Sequence, residues 1–314
     1  MLPLPTIDLI RRSEHEDPID DRKLRRALAS GAWIRVAPGV FAPSIAWEAL
    51  TPRDQHLVRV RETARRMQQP AVLSHFSAAA IWGMDVLRPW PTRLDTVVAG
   101  AQGGRSSGNI RRHVVLTGEV ESHPWQQHRV TSPAQTAADL ARLLPFVQAV
   151  AVLDSALCDL DGKRPLTTSD DVLARLDVAG RGAVRARRAL AFASNQAANV
   201  RESQARVLIA RLGFPTPRLQ ERRVLRTGRL VFGDFYFPSH DHWLELDGDV
   251  KYLNPQFGGH RSADEIVLDE KRREDEIRRE VRGFSRISPS DVDRPRRLFR
   301  ILTDDGLPSA LPSP

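Results

Sequence analysis

Between residues 218 and 248 the chain carries three strand-like runs, RLQERRVL, LVFGDFYF and HWLELDG, parted by the turn sequences RTGR and PSHDH. Beta-branched and aromatic residues dominate these runs, which favours a pleated sheet. The third run is the most constraining, because it sets Glu245 and Asp247 two apart inside apolar sequence. Residues two apart on a strand point to the same face, so the two carboxylates project together. Asp234 lies on the preceding run and is expected beside Glu245 across the hairpin. A helix precedes these strands (RESQARVLIARLG). A second helix over 264–282, closed by Gly283, and a last strand, FSRIS, follow them. The predicted order is α-β-β-β-α-β with a mixed sheet.

Three carboxylates on one patch repel one another and raise their own pKa values. A divalent cation removes that penalty. Mg²⁺ (or Mn²⁺) takes hard oxygen ligands and keeps several waters, so two or three carboxylates are a suitable protein share. Such an ion acidifies a bound water and stabilises charge on a phosphoryl oxygen. Asp234, Glu245 and Asp247 are thus candidate catalytic residues. Lys251 joins them as the cation that orients the nucleophile or stabilises developing charge. Glu202, on the preceding helix, is positioned to complete a metal shell of Glu202, Asp234, Glu245 and Asp247. The competing reading is that these acids end strands or pair with arginines, since Asp247-Gly248 is a common turn dipeptide.

The formal net charge of +8 points to a polyanionic partner. The charge is concentrated: residues 271–300 hold eleven Lys/Arg against six Asp/Glu. Arg272, Arg273, Arg278 and Arg279 are the expected phosphate contacts there, and binding is expected to be salt-sensitive. The one cysteine, Cys158, lies in an apolar helical stretch and reads as a core residue in a reducing compartment. No apolar run approaches the ~20 residues of a membrane span, and MLPLPTIDLIRR lacks the pattern of a secretory leader. The expected location is cytoplasmic.

Residues 5–28 read as two helices, PTIDLIRR with an Ile7, Leu9, Ile10 stripe and then the basic DDRKLRRALASG. The hairpin WIRVAPGVFAP follows, turning at Pro38-Gly39. Helix, turn, basic helix and hairpin is the order of a winged helix-turn-helix, in which a helix enters the major groove and the wing touches backbone. Arg22, Lys23, Arg25 and Arg26 would line the helix, and Arg35 the wing.

The expected middle domain, residues 51–197, mixes helices and strands. A helix over 51–70 leads to a short strand and a small-residue helix around His75, which reads as a capping or packing residue. The sequence GAQGGRSSG lacks the Gly-Lys-Ser/Thr ending of a phosphate loop. One long helix is expected after Ser132-Pro133, with Asp139 as a surface or capping charge. The polar stretch NQAANVRES marks the boundary to a third domain, 198–314.

The C-terminal region resembles the PD-(D/E)XK nuclease superfamily, nearest its very-short-patch-repair-endonuclease-like branch. The carrying residues are Glu202-Ser203, RLGFPTPRLQ, GDFYFP, LELDGDVKY and the tail EKRREDEIRREVRGFSRIS. The resemblance implies a restriction-endonuclease-like fold, a Mg²⁺ site on Glu202, Asp234, Glu245 and Asp247, and supporting roles for Lys251 and Arg273. The chain departs from the usual Glu-x-Lys, having Glu245-Leu246-Asp247, with Lys251 at a shifted position.

The first ~190 residues resemble AbiEi-like antitoxins of bacterial type IV toxin–antitoxin systems, through LASGAWIRVAPGVFAP, LSHFSAAAIWGM and HRVTSPAQTAADLAR. That resemblance implies binding to an operon promoter and a cognate toxin gene product as partner. The sequence therefore predicts a multi-domain α/β protein: residues 1–50 a winged helix, 51–197 an α+β domain, 198–314 a nuclease-like domain. Its expected function is DNA binding with a Mg²⁺-dependent endonuclease-like domain, in defence or toxin–antitoxin regulation. The alternative is a non-catalytic repressor built on an inert nuclease fold.

Overall fold

The computed structural model describes residues 1–12, 21–100, 106, 108–115, 120–160, 162–177, 180–248 and 263–314. The protein is a mixed α/β chain, 43% helix and 21% strand. It divides into two compact units, one of residues 1–157 and 164–193, the other of residues 158–163 and 194–314. Among the described residues no helix is long and apolar enough to cross a membrane.

The first unit opens with β1 (Ile10–Arg11), α1 (Asp21–Ala29), β2 (Trp33–Ala37) and β3 (Val40–Pro43). The strands form a small antiparallel sheet in the order β1-β3-β2. Gly39 makes the hairpin turn at φ 66°, a conformation that favours glycine. The expected helix over PTIDLIRR is absent. This segment is extended, and Ile10 pairs with Phe41. The reason lies in the spacing: Ile7 and Leu9, two apart, both pack on the core of this sheet, and Pro5 has no amide hydrogen to give. The first helix of the anticipated helix-turn-helix is thus a strand, while the basic helix and hairpin form as expected.

After α2 (Ser44–Glu48) comes α3 (Pro52–Ala64), capped by Thr51, whose side chain accepts from the Asp54 amide. Val58 of α3 packs under the hairpin sheet, while Leu57 and Val60 face a second core, so this helix ties the two parts of the unit together. The second core lies beneath a mixed five-stranded sheet. Its strands are β4 (Val72–Leu73), β5 (Leu94–Ala99), β6 (Ile110–Val115), β7 (Ser122–Trp125) and β8 (His128–Thr131), in the order β6-β5-β4-β8-β7. The helix α4 (His75–Trp82) sits between β4 and β5.

Ser132 caps α5 (Pro133–Leu143), and α6 (Phe146–Leu157) follows. One long helix was expected here. Leu144, which precedes Pro145, is instead extended (ψ 154°), because proline crowds the helical conformation of the residue before it. The unit closes with α7 (Ser169–Leu176) and α8 (Ala183–Phe192). Cys158 is buried.

The second unit runs α9 (Val200–Arg211), β9 (Arg218–Val224), β10 (Leu230–Phe237), β11 (His242–Leu246), α10 (Ala263–Arg278) and β12 (Gly283–Ile287), the predicted order. Two short helices, α11 (Pro289–Val292) and α12 (Pro295–Asp304), complete it. The sheet is mixed, β12-β11-β10-β9, and only the β11–β12 pair is parallel, joined through α10. One face buries Leu244, Leu246, Phe235 and Phe237 against Ala205 and Ile209 of α9. The other buries Trp243 and Tyr236 against Ile277 of α10 and Phe284. Gly233 is needed beneath Trp243, since a Cβ there would overlap the indole.

Candidate functional site

Strand alternation on β11 puts Leu244 and Leu246 into the α9-side core. Trp243 and Glu245 therefore face α10. Glu245 is buried, only 7% exposed. Its Oε1 accepts from the Trp243 indole N–H at 3.1 Å, and its Oε2 accepts from an Arg273 Nη2 donor at 2.7 Å. Arg273 also donates to both carboxylate oxygens of Glu270, at 2.9 and 2.8 Å. Burial works to lower the Arg273 pKa, but the bonds to Glu270 and Glu245 outweigh it and the net shift is upward. This guanidinium is fixed as a cation.

Asp247 repeats the arrangement one step along. Arg286 of β12 donates through Nε to both of its oxygens, at 2.8 and 3.0 Å, and through Nη1 to Glu274 at 2.6 Å. The Asp247 bond raises the Arg286 pKa; burial opposes it, and Glu274 adds to the rise. Asp234 lies where the hairpin predicts, its Oδ2 accepting from the Leu246 amide at 2.7 Å. Three predicted acids therefore sit on neighbouring strands, two of them charge-paired with arginines.

Glu202 is placed differently. It is 4% exposed in the first turn of α9, where Asn199 caps the helix. Its carboxylate accepts from the Ala198 amide (2.9 Å), the Asn199 side-chain amide (2.6 Å) and the Gln220 side-chain amide (3.1 Å). These are the bonds of a helix-capping acid. The helix that carries Glu202 packs on the sheet face opposite to the one Glu245 points from, so the four acids do not come together. Among the described residues no three His, Cys, Asp or Glu side chains converge to hold a metal ion. Among the described residues, guanidinium groups of Arg273 and Arg286 occupy the Glu245 and Asp247 carboxylates. Lys251 lies outside the described residues.

Of the predicted phosphate contacts, Arg22, Lys23, Arg25 and Arg26 are exposed on α1, while Leu24 is its buried anchor. Arg35 is exposed on β2. Arg272 is exposed on α10 and Arg279 in the turn just after it. Arg278 is exposed too, but its guanidinium lies 4.1 Å over the Phe284 ring and bonds Glu274. Arg273 is turned inward onto Glu245. Sequence reasoning missed Arg286, Glu270 and Glu274. No signal in the sequence placed Arg286: it is the parallel register of the fold that sets it against Glu245, two residues from Asp247.

The first unit holds a second polar constellation. Asp95 on β5 is fully buried and accepts from Arg111 and His113 of β6, the latter at 2.9 Å. Burial acts to raise the Asp95 pKa, but the bonds from His113 and Arg111 bring it below the ordinary value. The His75 ring stacks on His113 with centroids 3.6 Å apart, from a left-handed backbone (φ 47°). Burial, then the neighbouring His113, push the His75 pKa down to about 3. Asp139, expected at the surface, is half-buried. It accepts from Gln135, and burial lifts its pKa to about 6.

The fold and these sites define a two-unit α/β protein with a paired arginine–carboxylate strand. No family model matches the chain. It is similar to two uncharacterized proteins of Mycobacterium tuberculosis, MT2308 of strain CDC 1551 / Oshkosh and Rv2248 of strain H37Rv. Each is 37% identical over 110 residues, 35% of this chain. The chain spans 39% of the length of these relatives. Among solved structures it is similar to the RV2827C protein of M. tuberculosis, at 16% identity and a TM-score of 0.33, over 68% of this chain and 83% of that one.

Proposed function

We propose that the protein is a cytoplasmic DNA-binding regulator of bacterial defence or toxin–antitoxin type, a non-catalytic repressor whose C-terminal unit is an inert nuclease-like fold. The observation that carries this reading is the pairing of Glu245 with Arg273 and of Asp247 with Arg286. A carboxylate already neutralised by a guanidinium has little left to offer a hard cation. DNA contact is assigned to the exposed α1 cations Arg22, Lys23, Arg25 and Arg26, with Arg35 on the hairpin. Phosphate contacts of this kind position a protein on DNA without reading sequence. An operon promoter is the proposed target, and a cognate toxin gene product the proposed partner.

A second reading, a Mg²⁺- or Mn²⁺-dependent endonuclease, is favoured by one observation. Asp234 accepts from the Leu246 amide and so lies alongside the Glu245–Asp247 strand. Plasmid and single-stranded DNA incubated with the full chain and Mg²⁺, Mn²⁺ or EDTA separate the two. The first reading expects salt-sensitive binding and no cutting. Metal-dependent cutting that is lost in both Asp234→Ala and Glu245→Ala would replace it with the second.

A further inference from the structure

The hairpin of β9 and β10 carries apolar side chains on both faces, and one of those faces is left open. Val231 packs with Ile277 of α10, and Gly233 lies under Trp243. By strand alternation Leu230 and Phe232 point from the opposite face, and their cross-strand partners Val224 and Arg222 point with them. Val224 is 59% exposed, Leu230 42% and Phe232 55%. The core under α9 takes Phe235, Phe237 and Leu219 from the same two strands, but among the described residues it does not extend to these three.

Scattered apolar residues on a surface need no explanation, whereas a contiguous apolar patch marks an interaction site. This patch is also held in place from behind. Arg229 donates to Asp269 at 3.0 Å, Thr227 donates to Glu276 at 2.9 Å, and the Arg226 amide donates to Glu280. The hairpin is therefore fixed before any partner arrives, which lowers the ordering cost of binding.

The charge around the patch defines what fits it. Arg222 is exposed beside Phe232 and pairs with no acid among the described residues, and Arg226 is exposed in the turn that follows Val224. The neighbouring acids are engaged elsewhere. Asp234 accepts from the Leu246 amide, and Glu221, opposite Gly233, belongs to the α10 side. A complementary surface thus has an apolar centre and carboxylates at its rim. A second copy of this face would set arginine against arginine. A nucleic-acid strand would meet one aromatic ring and two aliphatic side chains, which give bases little to stack on.

We propose that the Val224, Leu230 and Phe232 face docks an acidic, amphipathic segment of a partner protein, with Leu230 and Phe232 as its apolar anchors and Arg222 holding a carboxylate. The inference needs neither DNA contact by α1 nor any particular state of the Glu245–Asp247 strand.

The test selects phage-displayed random peptides on the full chain and counter-selects them on Phe232→Ser. The expected result is enrichment of sequences in which Asp or Glu flanks Leu, Ile, Phe or Trp. The most enriched sequence, made as a labelled synthetic peptide, should bind Phe232→Ser and Leu230→Ser at least about tenfold more weakly, the scale of one interface anchor. Arg222→Glu should weaken it too and flatten its salt dependence. Thermal melts check that the variants fold, and Arg222→Glu, an exposed change, decides the matter where a serine variant melts early.

No enrichment, enrichment of basic sequences, or equal binding to wild type and variants refutes the docking face. Oligo(dT) binding that persists when the four α1 cations are alanine and falls with Phe232→Ser overturns it in favour of nucleic acid. A wild type that sediments as a dimer, with Phe232→Ser a monomer, overturns it in favour of a second copy.

Discussion

Arg273 reaches from α10 to the buried Oε2 of Glu245 at 2.7 Å, and the Trp243 indole closes the other oxygen at 3.1 Å. The carboxylate that the sequence marks as the centre of a metal site is satisfied entirely by protein donors. Removing Arg273 leaves a buried, unpaired charge. Arg273→Ala is expected to lower stability by about 3 kcal/mol or more, since breaking a buried ion pair is far more damaging than replacing it. Adding Glu245→Gln should recover a large part of that loss. Chemical denaturation of both variants measures the coupling, and strictly additive effects would contradict the pairing.

Gly233 answers for a different contact. Its Cα lies under the Trp243 ring with no room for a methyl group. Gly233→Ala should destabilise the second unit by about 1–3 kcal/mol, the usual range for overpacking. Unfolding followed by tryptophan fluorescence measures it; an unchanged transition would show that the sheet relaxes freely there.

The first unit carries a pH prediction. Burial, the larger cause in each case, pushes His75 down to about 3 and His56 down to about 4. Both are neutral in the folded chain while the unfolded chain takes up protons below about 6.5. The unfolded state then binds more protons, so their contribution is present above pH 6.5 and is lost as pH falls from 6.5 towards 4. Asp139, raised to about 6, works in the opposite sense and favours the folded state below pH 6. With two histidines against one aspartate, net stability should fall on acidification from pH 6 to 4, by about 1.4 kcal/mol per pH unit for each uncompensated proton. His75→Asn, which tolerates the left-handed backbone, should flatten the profile. Melting temperatures of wild type and variant across this range decide it; parallel profiles would count against His75.

Much of this was legible in the chain itself. Alternation placed Glu245 with Asp247 on one face, Ser132-Pro133 announced the start of α5, and Pro38-Gly39 turned the hairpin. What escaped was set by partners far along the chain. The β1 strand exists because β3 offers it an edge, and Ile7 and Leu9 follow a period of two that a short stripe with Ile10 disguised. The pairing of Asp247 with Arg286 depends on a parallel register created only when α10 carries β12 back alongside β11. Three acids close in sequence imply repulsion; only the fold reveals the arginines that relieve it.

DNA binding should depend steeply on salt. If the four α1 cations each meet a phosphate, replacing Arg22, Lys23, Arg25 and Arg26 by alanine should make the slope of log K against log salt shallower by about 3.6, since each contact contributes roughly 0.9. Anisotropy titrations of a duplex across a salt series provide the number. An unchanged slope would move the DNA contact away from α1.

Arg273 and Arg286 take up the carboxylates that a metal ion would need. Isothermal titration calorimetry of Mg²⁺ and Mn²⁺ into the full chain, beside Asp234→Asn and Glu245→Gln, tests this most directly. No saturable binding that depends on either acid is expected. A single-site isotherm in wild type that disappears in both variants would contradict this and return the strand to a metal-dependent nuclease.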